Sequence, residues 1–443
     1  MRLTSIYLLL LLYCCRSVAQ GWTLQRCMCY AVEHNHEVRQ AELELDSYRA
    51  AKTGAVGRFL PSVEAGVGVQ YNFGRAIDPE TNGYTNVSTF YNGYSLSASL
   101  PVFDGFSRLH ALRAARASEL MGQSALRQRQ NRAALDVMQA YTNVAYYEGM
   151  VRMAGDRVQE TSLLLRQTHL LEEVGRKSAA DVAQIESQQA EADYELTRQK
   201  NLFSSAMLEL KKAMGYPLND SLSLDFIPRV GTFQSHGGNV LVPGWDYSTG
   251  LDLSPELQQA RHRITATRHE WHQARAALFP SLSLSAGLNT TYHKQLHSET
   301  TVSFRSQLAG NMGQYIGVSL SIPLFNRLQT IASIRKAKNN YKIACEEYQQ
   351  QRLELEKLSR EAWQDWQGYL KQTEQMIHKV DADSLAYQLA RRQFEEGLST
   401  AIDLHATSSQ LLCSKATLLQ CRLMVIVKEI LVRYYNGEQI WTE

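Results

Sequence analysis

"LSASLPVFDGFSRLHALRAA", Leu96 to Ala115, changes its period part-way along. Tyr94, Leu96, Ala98 and Leu100 alternate with Ser95, Ser97 and Ser99, the period of two of a strand with one apolar face. After Pro101 and the Asp104-Gly105 break the pattern turns helical. The same switch recurs 222 residues later at Pro323, in "VSLSIPLFNRLQTIASIRKA", Val318 to Ala337. A transition used twice marks a repeat.

Other segments keep the same offset. "EVRQAELEL" at Glu37 resembles "ELQQARHRI" at Glu256, and "GRFLPSVEAGVGVQYN" at Gly57 resembles "AALFPSLSLSAGLNTTY" at Ala276. "EEVGRKSAADV" at Glu172 resembles "FEEGLSTAIDL" at Phe394. Pro61 and Pro280 are 219 residues apart; Gly175 and Gly397, like Asp181 and Asp403, are 222 apart. The chain is therefore a tandem duplication, with residues 20–215 as the first unit, 216–254 as a connector and 255–443 as the second. The connector, holding Pro217, Pro228 and Pro243, is expected to be irregular with at most a short element of its own.

Each unit reads as helix, strand, loop, strand, very long helix, tight turn, helix. The strands are expected at about 62–73, 93–100, 281–292 and 315–322, each with an apolar face and a small, polar one. Long helices are expected from about Phe106 to Leu171 and Asn326 to Glu395; each would span on the order of 100 Å at ~1.5 Å per residue. Val137, Val144, Val151, Val158 and Leu165 recur every seven residues, the spacing of helices that supercoil. Shorter helices are expected at about Leu24–Phe59 with Thr23 as N-cap, and at Ala179–Met214, Pro255–Phe279 and Ala401–Tyr435. The fold class is mainly α with a small β part.

The 443 residues carry 46 Lys+Arg against 44 Asp+Glu, a formal charge of +2, which leaves no electrostatic footprint for nucleic acid. Residues 1–19 have Arg2, an apolar run from Ile6 to Tyr13 and a small-residue site at Ser17-Val18-Ala19, as expected of an export signal. Tyr13 and Cys14 are poor neighbours for lipid attachment at Cys14 or Cys15. Past that segment no run of 18 apolar residues occurs, since "LMVIVKEILV" at Leu423 is interrupted by Lys428 and Glu429. Cys27, Cys29, Cys345, Cys413 and Cys421 form no disulfide framework or zinc spacing and are expected as small buried hydrophobes.

No nucleophile elbow, phosphate loop, dinucleotide fingerprint or zinc-protease motif is present, so neither catalysis nor a cofactor is expected. His262, His269 and His272 are the best histidine cluster, and no carboxylate completes a metal shell around them; His293 and His297 in a loop do no better.

Strands of about 8 to 12 residues suit a tilted β crossing of a bilayer, which needs about 9 to 11, while on pattern alone an alternating sheet of four could equally coat a soluble core; three further features favour the bilayer, the export signal among them. Phe59, Phe103, Phe279 and Phe325 mark one end of the strand pairs, and Tyr71, Phe73, Tyr94, Tyr292 and Tyr315 the other, as interfacial girdles would. Pro61, Pro101, Pro280 and Pro323 bound the helix side, where a missing N–H ends a ladder. Four strands leave open edges that lipid does not tolerate, so the chain must oligomerise; three copies would supply twelve strands, enough for an aqueous lumen.

The duplicated order, the "FLPS"/"LFPS" and "LPVFDGF"/"IPLFNR" boundaries, and the "VGRKSAADV"/"EGLSTAIDL" turns resemble the TolC-type outer membrane efflux protein family over nearly the whole mature chain. The resemblance implies a homotrimer in outer membrane lipid. A twelve-stranded outer-membrane β-barrel would continue into a periplasmic α-helical coiled-coil barrel, a passive export duct for a tripartite pump or type I secretion system. It would dock a periplasmic membrane fusion (adaptor) protein of an inner-membrane transporter. Residues carried over are the docking turns, Val174, Gly175 and Arg176 with Gly397, Leu398 and Ser399, and Asp403 as a periplasmic gate. On the residues alone both glycines also suit helix closure, and Asp403 suits a capping box with Thr400, mirrored by Ser178 and Asp181. Ala406 stands where some members carry a second aspartate, and neighbouring His405 is no evident replacement. The competing class is a secreted structural coiled-coil or adhesin-like protein without a pore.

Overall fold

A computed structural model describes residues 21–77, 82–86, 88–225, 247–295 and 302–441. The expected signal segment, the middle of the connector and His297 lie outside these residues. In chain order the elements are α1 (Leu24–His34), α2 (His36–Gly57), β1 (Ser62–Asn72), β2 (Arg75–Ile77), β3 (Tyr84–Asn86), β4 (Thr89–Phe103), α3 (Ser107–Glu173) and α4 (Ala179–Met214). Then follow α5 (Tyr247–Leu253), α6 (Pro255–Ala276), β5 (Ser281–Gln295), α7 (Phe304–Gly310), β6 (Gly313–Ser321), α8 (Gln329–Glu395) and α9 (Ala401–Tyr435). The chain divides into a unit that holds the sheets, residues 44–123 and 259–349, and a helical unit formed by the rest.

In the sheet unit four antiparallel strands are ordered β1-β4-β5-β6, and β2 pairs with β3 in a separate ribbon. The register aligns Val63, Ala98, Ala286 and Ile316 in one row and Leu100, Leu284 and Val318 in the next apolar row. Ser62, Ser99, Ser285 and Gly317 form a row of opposite parity. The alternation seen in single strands is thus one property of the whole sheet, because a residue's parity fixes its face in every paired strand. The apolar face is bare over most of its length: Val67 and Val318 are each 70% exposed and Ile316 82%.

Three expectations about this unit change. β4 does not stop at Pro101; that residue pairs with Ser283, and the strand reaches Phe103 through a register shift between Pro101 and Phe103. A bulge accommodates a residue without an N–H inside a ladder. Pro61 and Pro280 do stand one residue before their strands and Pro323 two after. Tyr315 leaves the girdle, since it pairs with Gly287 on the polar-face row, where a side chain on Gly287 would meet its ring at 2.6 Å. The loops are partly ordered: β2–β3 occupies one, and α7 in the other returns to β5, with Thr290 Oγ1 donating to the Leu308 carbonyl at 2.7 Å. Phe304 of α7 packs against Tyr292 and Tyr94, with ring centroids 5.0 and 6.4 Å away, extending an aromatic row through Phe90 and Tyr71.

The strand-to-helix switch is built twice with one geometry. Gly105 and Phe106 have φ of 65° and 69°, and their repeat counterparts Arg327 and Leu328 have 57° and 65°. At Gly105 the backbone is also crowded, since a Cβ would lie 2.6 Å from the Ala276 carbonyl oxygen, so glycine suits that copy on two counts. Asp104 Oδ2 then accepts from the Arg108 N–H at 3.1 Å, and its counterpart Asn326 accepts from the Thr330 N–H at 3.3 Å.

In the helical unit Cys27, Met28, Ala31, Ala134, Val137, Tyr141, Val144, Leu210 and Met214 form the main core. Val137 and Val144 of the seven-residue series are fully buried, and Val151, Val158 and Leu165 are half-buried. The single helix expected from Leu24 to Phe59 is two. Asn35 is extended at φ −66°, ψ 133°; its side chain donates to the Ala213 carbonyl at 2.8 Å and accepts from the Glu37 N–H at 2.7 Å. Gly215, left-handed at φ 71°, closes α4 beside His34, where any Cβ would lie 2.8 Å from the His34 carbonyl oxygen. The break seats one helix end against another. α9 is long and apolar enough to cross a membrane by length and composition, yet Leu404, Leu411, Leu418, Leu423, Val425, Val427 and Val432 on it are buried.

Candidate functional site at the helical turns

The long helices α3 and α8 end in the same way. Gly175 at φ 74° and Gly397 at φ 79° take the left-handed conformation that glycine adopts without penalty. The Gly175 N–H donates to Glu172 and the Arg176 N–H to Leu171, both at 2.8 Å; Gly397 donates to Phe394 at 3.1 Å and Leu398 to Gln393 at 2.8 Å. This pair of bonds is a Schellman closure, which uses carbonyls that a helix end leaves free. The next helices open on matching capping boxes. Ser178 Oγ and Thr400 Oγ1 each accept from the N–H of Asp181 and Asp403 at 3.2 Å, and each aspartate accepts in return from the cap's own N–H. The Ser178 and Thr400 hydroxyls also donate to these carboxylates, at 2.8 and 2.7 Å, and with the cap N–H groups they hold the Asp181 and Asp403 carboxyls below the usual carboxylate range. The capping reading of Asp403 is therefore realised in the structure.

A small core locks the two turns. Phe394 is buried with Leu164, Ile185, Ala401 and Leu404, the Lys177 ammonium lies 3.7 Å from the centre of its ring, and Gln188 donates to the Ala401 carbonyl at 3.2 Å. Val174 and Leu398, by contrast, are 67% and 75% exposed.

Further along, polar ties cross between helices. The Tyr387 hydroxyl of α8 donates to Glu160 of α3, and Arg391 stands 3.9 Å from the same carboxylate. Burial and the Glu160 charge push the Tyr387 phenol up, so it stays a donor. Arg157 reaches His405 Nδ1 at 3.3 Å, and His405 Nε2 lies 3.8 Å from Glu191. Lys379 donates to Asp383 at 2.6 Å and to buried Ser414 at 2.9 Å, and Ser414 donates to Asp383. None of Glu160, Tyr387, Arg391, Arg157 or Asp383 was singled out from sequence, because partners such as Tyr387 and Glu160 lie 227 residues apart. The arrangement is a mechanical clasp: charge-assisted bonds that hold helix ends together and can be exchanged without covalent change.

The model of the family described as outer membrane efflux protein matches residues 30–216 and 247–433. The chain belongs to the outer membrane efflux protein family. Membership makes it an outer membrane channel component that extends into the periplasm and serves export. The toluene efflux pump outer membrane protein TtgC of Pseudomonas putida is 23% identical over 430 residues, covering 93% of this chain and 83% of that one. The alkaline protease secretion protein AprF of Pseudomonas aeruginosa is 26% identical over 323 residues, 69% of this chain and 62% of that one. Among solved structures, CusC superposes with a TM-score of 0.81 at 17% identity over 94% of this chain and 92% of that one. VceC of Vibrio cholerae does so with 0.78 at 14% identity over 94% and 96%.

Other residues of this efflux protein fall out differently from the sequence expectation. His269 and His272 are joined by His110 of α3 rather than by His262; His110 and His269 have Nδ1 atoms 3.4 Å apart. The His110 ring stacks on both at interplanar angles of 30° and 26°, so the lone pairs do not converge, and burial with Arg113, Arg268 and Arg275 nearby lowers the pKa of all three. Among the described residues no group of three or more His, Cys, Asp or Glu is placed to hold a metal ion. Cys27 and Cys421 are buried as expected, with burial pushing the Cys27 thiol up to about 12, but Cys413 is exposed. It sits on a helix face outside the unit's core.

Proposed function

We propose that three copies of this chain close one barrel of twelve strands in the outer membrane, pairing the free edge of β6 with the free edge of β1 of the next copy. The barrel leads into a periplasmic helical tunnel, and solutes leave through it passively while an inner-membrane transporter supplies the energy. The observation that carries this reading is the bare apolar face of the four-stranded sheet, backed by rows of Ser, Gly and Asn. Apolar surface of that extent needs a covering, lipid supplies it on one side, and the small polar rows then line water. Both edge strands carry unused backbone groups, which only closure satisfies.

In this reading residues 1–19 are removed on export, 20–215 and 255–443 are the two repeats, and 216–254 is an equatorial connector. Pro61, Pro101, Pro280 and Pro323 mark the barrel–tunnel boundary, although on β4 the boundary lies beyond Pro101 at Asp104-Gly105. Val174, Gly175 and Arg176 with Gly397, Leu398 and Ser399 receive the adaptor protein, which the exposure of Val174 and Leu398 supports. Asp403 caps α9 and also adds negative charge to the periplasmic aperture. Opening exchanges the ties made by Tyr387, Glu160 and Arg391.

The test is semi-native electrophoresis of outer membrane fractions with and without heating, followed by conductance in planar bilayers. A heat-modifiable trimer that conducts supports the duct; a soluble monomer without conductance rejects it. Asp403→Ala should change conductance or cation preference, and an unchanged channel removes the gate role. Crosslinking from Gly175→Cys or Gly397→Cys in a Cys413→Ser background should capture the adaptor.

A further inference from the structure

The helical unit contains a cavity of about 370 Å³ that the export reading does not use. It is lined by Glu256 at the start of α6, Leu355 of α8, Tyr434 and Tyr435 at the end of α9, Trp441 beyond it, and Arg127 of α3. Its volume falls in the range of small-molecule sites, about 300 to 1,000 Å³.

Glu256 is the group that gives the cavity a chemical preference. The Tyr434 hydroxyl donates to its Oε1 at 3.0 Å, whereas Oε2 is buried without a hydrogen-bond partner. A buried carboxylate oxygen left in that state asks for a donor. In the first repeat the equivalent residue, Glu37, has a cation of its own chain, Arg129, 3.7 Å away. Glu256 has no ion pair among the described residues, although the duplication gives it the same place at the opening of its helix. Burial and the Glu256 charge raise the phenol pKa of Tyr434 and Tyr435, so both remain neutral and present aromatic surface. The charged groups of the lining are two carboxylates, Glu256 and Glu438, and one guanidinium, Arg127. An anion meets net repulsion there, and a neutral apolar molecule leaves Oε2 unpaired. A cation with an apolar body satisfies the carboxylate and packs against Tyr434, Tyr435 and Trp441.

We propose that this cavity is a binding site for an amphipathic organic amine, its ammonium on Glu256 Oε2 and its apolar body against the aromatic side chains. The probe is 4-phenylbutylamine, with 4-phenylbutanol as its uncharged match, titrated by calorimetry into the detergent-purified full chain. The amine should bind about tenfold or more tightly than the alcohol, the scale of a hydrogen-bonded charge. Glu256→Gln keeps an acceptor for Tyr434 and should reduce that preference to about twofold or less. Equal affinity of amine and alcohol in the native chain, retention of the preference in Glu256→Gln, or no amine binding at millimolar concentration overturns the assignment. A diazirine-bearing amine applied to the native chain decides the matter even if the variant does not fold. Label on the segments 247–256 and 431–441 supports the site, and label confined to other segments rejects it.

Discussion

Replacing Gly175 or Gly397 by alanine isolates one physical quantity. Both residues are left-handed, and a Cβ added at either would meet nothing within 4 Å, so the substitution creates no clash. What remains is the intrinsic penalty of the left-handed region for an L-residue with a Cβ, roughly 1–2 kcal/mol. Alanine also reduces the freedom of the unfolded chain, which returns about 0.4–1 kcal/mol. The net local cost is about 1 kcal/mol, or about fivefold in the population of the opened turn. Hydrogen–deuterium exchange reads this directly, because the Gly175 and Arg176 amides donate the two closing bonds. Exchange in the segment 171–178 should accelerate about fivefold in Gly175→Ala, and an asparagine there, which tolerates the same φ, should recover most of the loss. Gly215 provides the contrast: it shares the left-handed φ but faces the His34 carbonyl oxygen at 2.8 Å, so Gly215→Ala should cost distinctly more. Unchanged exchange in Gly175→Ala, or equal effects at 175 and 215, would refute the reasoning.

Three further outcomes are expected. Tyr387→Phe removes one charge-assisted bond from Glu160 and leaves only the partly exposed Arg391 contact, so the resting clasp should weaken by about 1.5–3 kcal/mol and bilayer conductance should rise; identical conductance shows that the tie survives opening. Because Asp181 and Asp403 have lowered folded-state pKa values, their capping contribution is complete above the unfolded aspartate value of about 3.9 and is lost as the pH falls below it. Protection of the amides at the starts of α4 and α9, corrected for the intrinsic pH dependence of amide exchange, should therefore stay flat from about pH 6 to pH 5 and fall only near pH 3, and fraying already at pH 5 contradicts the assignment. Val318→Lys puts a charge on the bare apolar face, at about 2–4 kcal/mol per copy near mid-membrane, and should reduce heat-modifiable trimer, whereas Ser319→Lys on the opposite face should leave assembly intact.

The sequence carried the periodic features well because each is a local property. The two strand faces, both capping boxes and both glycine closures depend on residues no more than a few positions apart, and the duplication shows because each local pattern is written twice. Ala179–Met214 and Ala401–Tyr435 were legible to the residue for that reason. The misreadings arise where distant groups decide the backbone. Asn35 breaks a helix because Ala213 offers its carbonyl, and β4 continues past Pro101 because Ser283 of another strand still pairs with it. The clasp around Glu160 and the third histidine, His110, come from elements far apart in the chain, and no spacing rule reaches across that interval.

The order of the sheet has a consequence for how the protein is made. β4 and β5 are neighbours in space, yet α3, the turn, α4 and the whole connector separate Phe103 from Ser281 in the chain. The first hairpin is therefore complete long before its central partner strand exists. Until then it presents an apolar face and two open edges to water, the condition in which strands pair with the wrong chain. Closing so long a loop is slow compared with forming the hairpin itself. A holding chaperone that shields the segment 62–103 should therefore raise the yield of correctly assembled protein more than any acceleration of helix formation.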